Sequence, residues 1–489
     1  MVDIPFPQTN QPGAVPGEGL GRLLNRYFEA DQNVQQWRLV PGLVGFTDPG
    51  HQIPRGMHVV GSVLYDARAQ TALSINANGA VTPLPGTLNG VLPGSWAHNN
   101  KSPNPDIVFV SQEVGALTVD PTTGVSAYPD TSLPLANSVT MLDGYLLFTT
   151  PDGHIFASGV NDIWVEDSDH TQNALSYTIA DQSGGLLRGT VWAEQFFAWG
   201  VKACTVYTNA ATYPFPLGRT AIIPVGLLSF NCVTGWEPHW SLQQYFVADD
   251  CTVRRLDGYQ ATVVSVNDLE RLIEAVVDKT KIEMSCYVEG GRACVVVSGP
   301  SFTWEFNALT NLWNERQSPG QTRWRCSMSC SFQSKWLYGD TLSTQIVQVT
   351  PTAFDELGTS FTARLESGPV KNFPSRGRCT AAYFDFSTGN APISGNPDAV
   401  NPMLSISTSA DGGGTWSSPV LRANIGPQGD WREVVKAHRI GGIFSQHGLR
   451  FRVDSSSPVY STCRGGRCDV QNAPLTAHNT RVSIRFGSS

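Results

Sequence analysis

The chain has 489 residues and a formal net charge of −8, which argues against a nucleic-acid binder held by phosphate contacts. Aromatic residues make up 10% of the chain, which excludes a disordered protein, and charged residues make up only 15%. Because the charge is low at ordinary hydrophobicity, we expect much of the polar surface to contact other proteins. The N-terminus has no basic region followed by an apolar run, and no apolar run reaches about 18 residues. We therefore expect neither a secretory signal nor a membrane span.

The first 18 residues are rich in Pro and Gly. Such a segment either stays loose or lies across a neighbouring molecule, and we expect an extended N-terminal arm. Together with a docking segment it forms the first expected part of the chain, residues 1–50. Within this part, the apolar residues of 20–31 are spaced as in a helix.

Residues 51–355 repeat a pattern of short apolar strands and turns. Asn-Gly and Asp-Gly dipeptides supply the left-handed backbone that tight hairpins need. In this region they stand at 78–79, 89–90, 143–144, 152–153 and 257–258. The apolar strand centres are Tyr65, Phe109, Phe148, Ala198, Phe246, Val295 and Leu337.

The mean spacing of these centres is about 45 residues, which is the period of a four-stranded propeller blade. The sequence therefore predicts an all-β fold with a β-propeller of about seven blades over 51–355. A two-sheet sandwich with unequal loops is the alternative. One amphipathic helix is predicted over 267–278, with Asn267 as its N-cap.

After residue 355 the repeat stops. Residues 356–489 contain further strands of alternating or mixed pattern, and for these we expect a separate C-terminal β-sandwich. The fold class predicted for the whole chain is thus a propeller followed by a sandwich, preceded by the extended arm.

Two short patterns resemble metal sites only loosely. The segment VEDSDH (165–170) holds three acids and a His, but it lacks the spacing of a calcium loop, and a solvated acidic loop is the simpler interpretation. Ten cysteines are present and several stand in apolar runs, which is typical of buried thiols. Cys326 and Cys330 are four residues apart, but the chain has no CxxC pair that would indicate zinc.

The segment SADGGGTW (409–416) fits the Asp-box pattern. In this pattern Asp411 caps turn amides, glycines such as Gly413 take positive φ, and Trp416 packs beneath the turn. The pattern recurs in propeller glycosidases, where it is structural. We interpret it as a structural hairpin.

The segment STCRGGRCDV (461–470) is nearly symmetric about Gly465-Gly466. A two-residue turn there would place Cys463 opposite Cys468 at a non-hydrogen-bonded position, a distance that suits a cross-strand disulfide. A reduced hairpin tip is the alternative, because the redox state depends on the compartment.

No motif in the sequence calls for catalysis. The chain has no P-loop, no GxGxxG, no HExxH and no GxSxG, and its nine His residues stand beside no convincing nucleophile. We therefore predict no enzyme, and we assign no catalytic, cofactor-binding or metal-binding residue.

Several phrases of the sequence resemble the tail hub or nozzle proteins of short-tailed bacteriophages, the packaged-DNA stabilisation family. The closest phrase is SVTMLDGYLLFTTPDGHIFASGVND at 138–162. Further similar phrases lie at 23–46, 55–67, 245–259, 303–316 and 431–459. The CRGGRC segment and the 15 residues after it depart from the family pattern.

This resemblance implies a structural protein of the virion tail, assembled in the host cytoplasm. It implies a hexameric ring below the portal and adaptor that conducts double-stranded DNA without sequence-specific binding. The ring would retain the packaged genome, pass it during ejection, and anchor tail fibres or spikes and the tail tip. With a net charge of −8 per copy, an acidic lumen would let DNA slide.

Two other functions remain open on the sequence. The first is a propeller glycosidase or sialidase acting on host surface glycan, which would need an Arg triad and a Tyr nucleophile on the propeller axis. The second is a monomeric propeller that serves as a binding module. A ring predicts symmetric oligomers, whereas a binding module predicts a single chain in solution.

Overall fold

The fold is almost entirely β. The computed structural model describes residues 1–473 except 16, 32–33, 165–175, 179–183, 213–214, 373–374, 420, 439–441 and 445–446. The first 50 residues contain five strands, β1 (Val2–Asp3), β2 (Arg22–Leu24), β3 (Arg26–Asp31), β4 (Val34–Leu39) and β5 (Gly42–Thr47).

The next twelve strands form three consecutive antiparallel sheets of four strands each. The first sheet contains β6 (Pro54–Val60), β7 (Val63–Arg68), β8 (Thr71–Ile75) and β9 (Val81–Pro83). The second contains β10 (Gly94–His98), β11 (Ile107–Ser111), β12 (Gly115–Asp120) and β13 (Gly124–Ala127). The third contains β14 (Ser138–Leu142), β15 (Tyr145–Thr149), β16 (His154–Ala157) and β17 (Ser176–Thr178).

The pattern continues through the second half of the propeller. The fourth sheet contains β18 (Leu186–Trp192), β19 (Gln195–Gly200), β20 (Cys204–Asn209) and β21 (Leu217–Ile223). The fifth contains β22 (Val233–Thr234), β23 (Tyr245–Val247), β24 (Val253–Asp257) and β25 (Gln260–Val263). Helix α1 (Asn267–Ala275) and a 3-10 turn (Lys279–Lys281) follow. The last strands of this region are β26 (Glu283–Glu289), β27 (Arg292–Ser298), β28 (Thr303–Asn307), β29 (Leu312–Glu315), β30 (Cys326–Phe332), β31 (Lys335–Asp340) and β32 (Ile346–Thr350).

The N-terminal part completes the propeller. Strand β5 pairs antiparallel with β32, so that the last blade has the order β30-β31-β32-β5. The blade is thus built from both ends of the propeller sequence, which ties the first blade to the last.

The predicted number of about seven blades needs correction. Among the described residues, six sheets are separate four-stranded blades. The sixth repeat in chain order, β26–β29, is not a separate blade, because β2 pairs with β29 and extends it into a nine-stranded sheet. All seven predicted strand centres nevertheless lie buried on the second strand of a repeat.

The turn dipeptides act as the sequence predicts. Between β14 and β15, Asp143 and Gly144 have φ of 52° and 86°, the left-handed pair of a tight hairpin. Aromatic side chains then hold neighbouring blades together. The rings of Trp199 on β19 and Phe246 on β23 lie 4.7 Å apart, and both are fully buried.

Two local predictions differ from the structure. Residues 20–31 form β2 and β3 rather than a helix, because Asn25 at φ 52° breaks the segment and each half pairs with another strand. Helix α1 is confirmed but ends at Ala275. Its N-cap is Val266, which makes no side-chain capping bond, rather than Asn267.

The C-terminal strands complete two large sheets. These elements are β33 (Ala363–Glu366), β34 (Gly377–Phe386), α2 (Pro397–Val400), β35 (Met403–Ser409), β36 (Leu421–Asn424), β37 (Val435–His438), β38 (Ile443–Phe444), β39 (Arg450–Ser455) and β40 (Cys463–Asn472). The nine-stranded sheet has the order β26-β27-β28-β29-β2-β33-β39-β35-β36. A seven-stranded sheet has the order β3-β4-β40-β34-β37, with β1 on β40 and β38 on β34.

A separate C-terminal sandwich over 356–489 is not confirmed. The two large sheets share a hydrophobic core, but that core includes Phe6, Phe28 and Trp37 from the N-terminal part together with Phe384 and Phe451. One of the two sheets also runs without a break into the propeller. Strand pairing therefore crosses both boundaries that the sequence suggests, near residues 50 and 355, and the three-part division remains a prediction.

Candidate functional site

The first strands of several blades surround a small, partly open cavity on the propeller axis. Its volume is about 40 Å³, room for very few water molecules. Apolar side chains that narrow it are Met57, Trp96, Val233, Met284 and Met328. The axis of a single propeller therefore cannot conduct a polymer.

Several polar side-chain atoms in this cavity bind neighbouring residues, whereas Arg188 Nε and Trp236 Nε1 are buried with no hydrogen-bond partner among the described residues. Arg188 is nine-tenths buried and donates from Nη1 to the carbonyl of Phe230 at 3.2 Å. Its guanidinium also lies 5.1 Å from the ring of Trp236. Burial lowers the pKa of Arg188 to about 10, although the nearby Glu237 opposes this shift. Both carboxylate oxygens of Glu237 are occupied, by the hydroxyl of Thr234 and by the amide of Gly235, each at 2.6 Å.

A pair of histidines borders the cavity. His58 Nε2 and His98 Nδ1 are 2.8 Å apart. Burial, and after it the ring of His98, lowers the pKa of His58 to about 3. Both rings therefore stay neutral at physiological pH, and one donates to the other.

This axis does not present the groups that a sialidase needs. In the described part of the chain, Arg188 is the single arginine among the residues that line the cavity, and no tyrosine lines it. A sialidase would require an Arg triad and a Tyr nucleophile at this position.

The N-terminal arm lies along its own chain. Asn10 Nδ2 donates to Glu315 Oε1 at 2.7 Å, and Asn10 Oδ1 accepts from the amide of Leu23 at 2.9 Å. Glu315 also binds Arg22 through two guanidinium nitrogens. The arm is thereby fixed to β29, the last strand of the sixth repeat. Composition predicts an extended segment here, but no local pattern identifies Asn10 as its attachment point.

The start of the arm reaches the far end of the sequence. The amide of Ile4 donates to the carbonyl of Gly466 at 2.8 Å, and Trp37 Nε1 donates to the carbonyl of Pro7 at 2.6 Å. Further along, the amide of Gly17 donates to the carbonyl of Gly412 at 2.9 Å. The arm thus connects the propeller with both large sheets.

The Asp-box segment connects β35 and β36. Asp411 Oδ1 accepts from the amide of Thr415 at 2.9 Å and from the hydroxyl of Ser409 at 2.6 Å. The Ser409 hydroxyl, and then the Thr415 amide, holds the pKa of Asp411 well below its ordinary value. Gly413 has φ 110°, as the turn requires. Trp416 is only half-buried, and the guanidinium of Arg452 lies 4.1 Å from its ring.

The CRGGRC segment does not form the predicted hairpin. Cys463 and Cys468 lie on one strand, β40, opposite Phe386 and Ala382 of β34. Five residues of extended chain span roughly 16 Å, whereas a disulfide needs Cα atoms within about 7 Å. A disulfide between these two cysteines is therefore incompatible with this strand.

The two glycines of the CRGGRC segment do not form the tight turn that the symmetry of the segment predicts. Gly465 has φ 145° at a register shift between β34 and β40, so it serves a β-bulge rather than a turn. A Cβ atom on Gly466 would lie 3.1 Å from the side chain of Ile4. The second glycine therefore makes room for the N-terminal arm.

Two sequence patterns that loosely resemble metal sites remain. VEDSDH (165–170) lies outside the described residues. Cys326 and Cys330 are both buried on β30, and the described part of the chain holds no cluster of three His, Cys, Asp or Glu side chains that would suit a metal. Within the same residues, no helix has the length and apolar character to cross a membrane.

Comparisons with known proteins bear on the whole propeller. A phage-stabilisation family model, described as the β-propeller of bacteriophage P22 Gp10, matches residues 30–354. No curated protein sequence matches the chain. The WD40 β-propeller domain of Doa1 is 10% identical with a TM-score of 0.40, covering 63% of this chain and 95% of that domain. BamB from Moraxella catarrhalis is 12% identical with a TM-score of 0.38, covering 66% of this chain and 92% of BamB.

These two structural similarities are too low to carry an argument. The family match carries more weight, because it extends from the end of β3 to just beyond β32, and so includes the closing strand β5 and well over half of the chain. It confirms the resemblance seen in the sequence phrases. The chain therefore belongs to the phage-stabilisation family represented by the β-propeller of bacteriophage P22 Gp10.

Proposed function

We propose that the chain is a structural tail hub or nozzle protein that forms a hexameric ring below the portal and adaptor. Family membership over residues 30–354 carries this proposal, since it implies a component of the phage virion. In this function the ring is a conduit that retains the packaged genome and passes it during ejection. We infer no enzymatic activity, because the sequence carries no catalytic motif and the described residues that line the cavity include neither an Arg triad nor a tyrosine.

The closed propeller axis supports a ring rather than a single channel. A cavity of about 40 Å³ has no room for a DNA duplex, so any lumen must lie between copies of the chain. A ring with rotational symmetry creates such a lumen from identical subunits. The N-terminal arm does not contribute its first residues to a neighbour in this arrangement, since it is bound to its own β29 and β40.

Partners follow from the same proposal. The portal–adaptor ring would bind one end of the assembly, and tail fibres or spikes and the tail tip would bind the other. Exposed apolar side chains offer contact area, and the most exposed in the C-terminal part are Ile393 and Trp431. The ring is assembled in the host cytoplasm and remains in the virion tail.

The deciding experiment is the molar mass of the purified protein by light scattering, alone and with a purified portal–adaptor complex, followed by negative-stain images. We expect rings of about six copies with an open centre. A chain of 53 kDa that never assembles with the complex would overturn the proposal. Trp431→Ser, on the exposed C-terminal surface, should reduce fibre or tip attachment without loss of the ring. The control is Gln8→Ala, at an exposed residue of the N-terminal arm, which should change neither attachment nor ring formation.

A further inference from the structure

Acidic and basic side chains are unevenly divided along this chain. Residues 1–355 contain 32 Asp and Glu against 19 Lys and Arg, a net charge of −13. Residues 356–489 contain 9 Asp and Glu against 14 Lys and Arg, a net charge of +5. Such a difference within one chain is typical of a protein whose basic part meets a polyanion.

The structure gathers part of this positive charge on one side of the seven-stranded sheet. On β37, Lys436 and His438 are exposed, whereas the intervening Val435 and Ala437 are buried in the core. On β34, Arg378 is exposed beside the buried Cys379. Since side chains alternate along a strand, these cations point away from the core.

Strand register sets Lys436 and His438 against β34, the strand that also carries Arg378. Lys436 lies opposite Tyr383 and His438 lies opposite Ala381, and the Tyr383 and His438 rings are 6.4 Å apart. Arg378 lies further along β34. Exposed Lys371 and Arg376 precede that strand. We call the set of Lys371, Arg376, Arg378, Lys436 and His438 the basic face.

The cations of the basic face have no carboxylate partners. Within the described residues, no ion pair involves Lys371, Arg376, Arg378 or Lys436. Elsewhere on the same sheet, Arg467 binds Asp3 at 2.8 Å and Arg464 lies 3.6 Å from Asp385. Two carboxylates share this side of the sheet, since Asp469 lies opposite Ala381 and exposed Asp385 is two residues after Tyr383. The four Lys and Arg side chains of the basic face outnumber them, so the face keeps a net positive potential in a protein that is acidic overall.

We propose that the basic face binds the phosphate backbone of duplex DNA without reading its sequence. Exposed apolar residues also lie on this face, since Ile443 is opposite Arg378 and Val434 is two residues before Lys436, but they stand singly among five basic side chains. This pattern suits phosphates better than the apolar centre of a protein interface. The acidic propeller repels phosphates, so DNA contact is confined to this face. This inference rests on the proposed DNA conduit, and it replaces a uniformly acidic lumen with a lumen that holds DNA at defined positions.

The test is binding of a fluorescently labelled DNA duplex of random sequence by the purified full chain, followed by anisotropy over a range of salt concentrations. Four phosphate contacts predict a slope of log affinity against log salt near −3.6 per chain, about −0.9 for each contact. The double variant Arg378→Glu/Lys436→Glu should reduce the magnitude of the slope by about 2 and weaken binding at least tenfold at 0.1 M salt. Two duplexes of different sequence should bind equally well.

The control is Lys202→Glu/Lys281→Glu, which changes the net charge by the same amount at exposed sites on the propeller. Equal losses in the two double variants, or no binding by the native protein at low salt, would overturn the DNA contact. If the basic-face variant instead loses ring assembly, the face is an interface between copies. Absence of rings in the native protein tests the proposed function separately, whatever the binding result.

Discussion

Arg292 Nη2 donates a 2.5 Å hydrogen bond to Glu305 Oε1, and the side chain of Glu305 is completely buried. Arg316 Nη1 lies 3.2 Å from the other carboxylate oxygen, which also accepts from the hydroxyl of Tyr287 at 2.7 Å. Burial alone would raise the pKa of Glu305, but the two guanidinium groups outweigh it and lower the pKa to about 2. This network joins β27, β28 and the segment after β29 where the nine-stranded sheet leaves the propeller.

Removal of the charge of Glu305 should therefore be costly. Glu305→Gln leaves two buried guanidinium groups with no carboxylate, and we expect a loss of about 3–5 kcal/mol in the free energy of unfolding. Urea unfolding followed by tryptophan fluorescence measures this loss. Lys202→Gln breaks the exposed pair with Asp249 and should cost less than about 1 kcal/mol. Equal losses in the two variants would contradict a structural role for the network.

The free energy of unfolding should decrease in mild acid because of His58. The folded chain lowers the pKa of His58 to about 3 from an ordinary value of 6.5, so between these pH values the unfolded chain binds the extra proton. The free energy of unfolding therefore decreases as the pH falls through this window, by at most about 1.4 kcal/mol per pH unit. His58→Gln should flatten the profile between pH 6.5 and 4.5. Exposed His438→Gln is the control, and parallel profiles for His58→Gln and the native chain would refute the prediction.

The arm should detach when Asn10 is truncated. Asn10→Ala removes a buried amide that serves both Glu315 and Leu23, and we expect a loss of about 1–3 kcal/mol. Limited proteolysis should then cleave the first 20 residues faster than in the native chain. Gln8→Ala changes an exposed residue of the same arm and should leave the cleavage rate unchanged. An unchanged rate in Asn10→Ala would show that other contacts hold the arm.

The Asp-box hairpin should depend on the carboxylate of Asp411. Asp411→Ala removes the acceptor for Ser409 and Thr415, with an expected loss of about 1–2 kcal/mol and faster protease cleavage between β35 and β36. Asp411→Asn keeps one acceptor and should rescue part of the loss. Asp385→Ala, at an exposed carboxylate, serves as the control. Unaltered cleavage in Asp411→Ala would show that the hairpin does not need the Asp411 carboxylate.

Cys463 and Cys468 should not be found linked to each other. Burial raises the pKa of Cys463 to about 12, so native protein should alkylate there far more slowly than at the partly exposed Cys251. Mass spectrometry of a non-reduced digest should show no peptide in which the two are joined. Detection of that linkage in folded, ring-forming protein would mean that β40 is not continuous.

The propeller repeat could be predicted because its signal is local. Each blade needs a buried second strand and a tight turn, and residues such as Phe148 and the pair Asp143-Gly144 meet these needs within a few positions. The family could be predicted for the same reason, since its phrases follow single blades. The Asp-box turn could likewise be predicted, because its whole pattern lies within eight residues.

Features that depend on distant pairing could not be predicted. Nothing near Gly42 shows that β5 will pair with β32, and nothing near Asn10 points to Glu315. The hairpin predicted at the CRGGRC segment was wrong for a related reason, because a glycine pair that favours a turn also permits a β-bulge. Whether Gly465-Gly466 turns or continues the strand is decided by β34, which pairs with both glycines, and by Ile4, which contacts Gly466. The basic face depends on the register of β34 and β37 in the same way.

Strand β5 is synthesised roughly 300 residues before β32, its partner in the last blade. The separation between β1 and its partner β40 is longer still. During that interval the nascent polypeptide carries unpaired strand edges, which favour aggregation until they are covered. An incomplete translation product can close neither the propeller nor the seven-stranded sheet. Only chains synthesised as far as β40 can therefore complete both the propeller and the seven-stranded sheet.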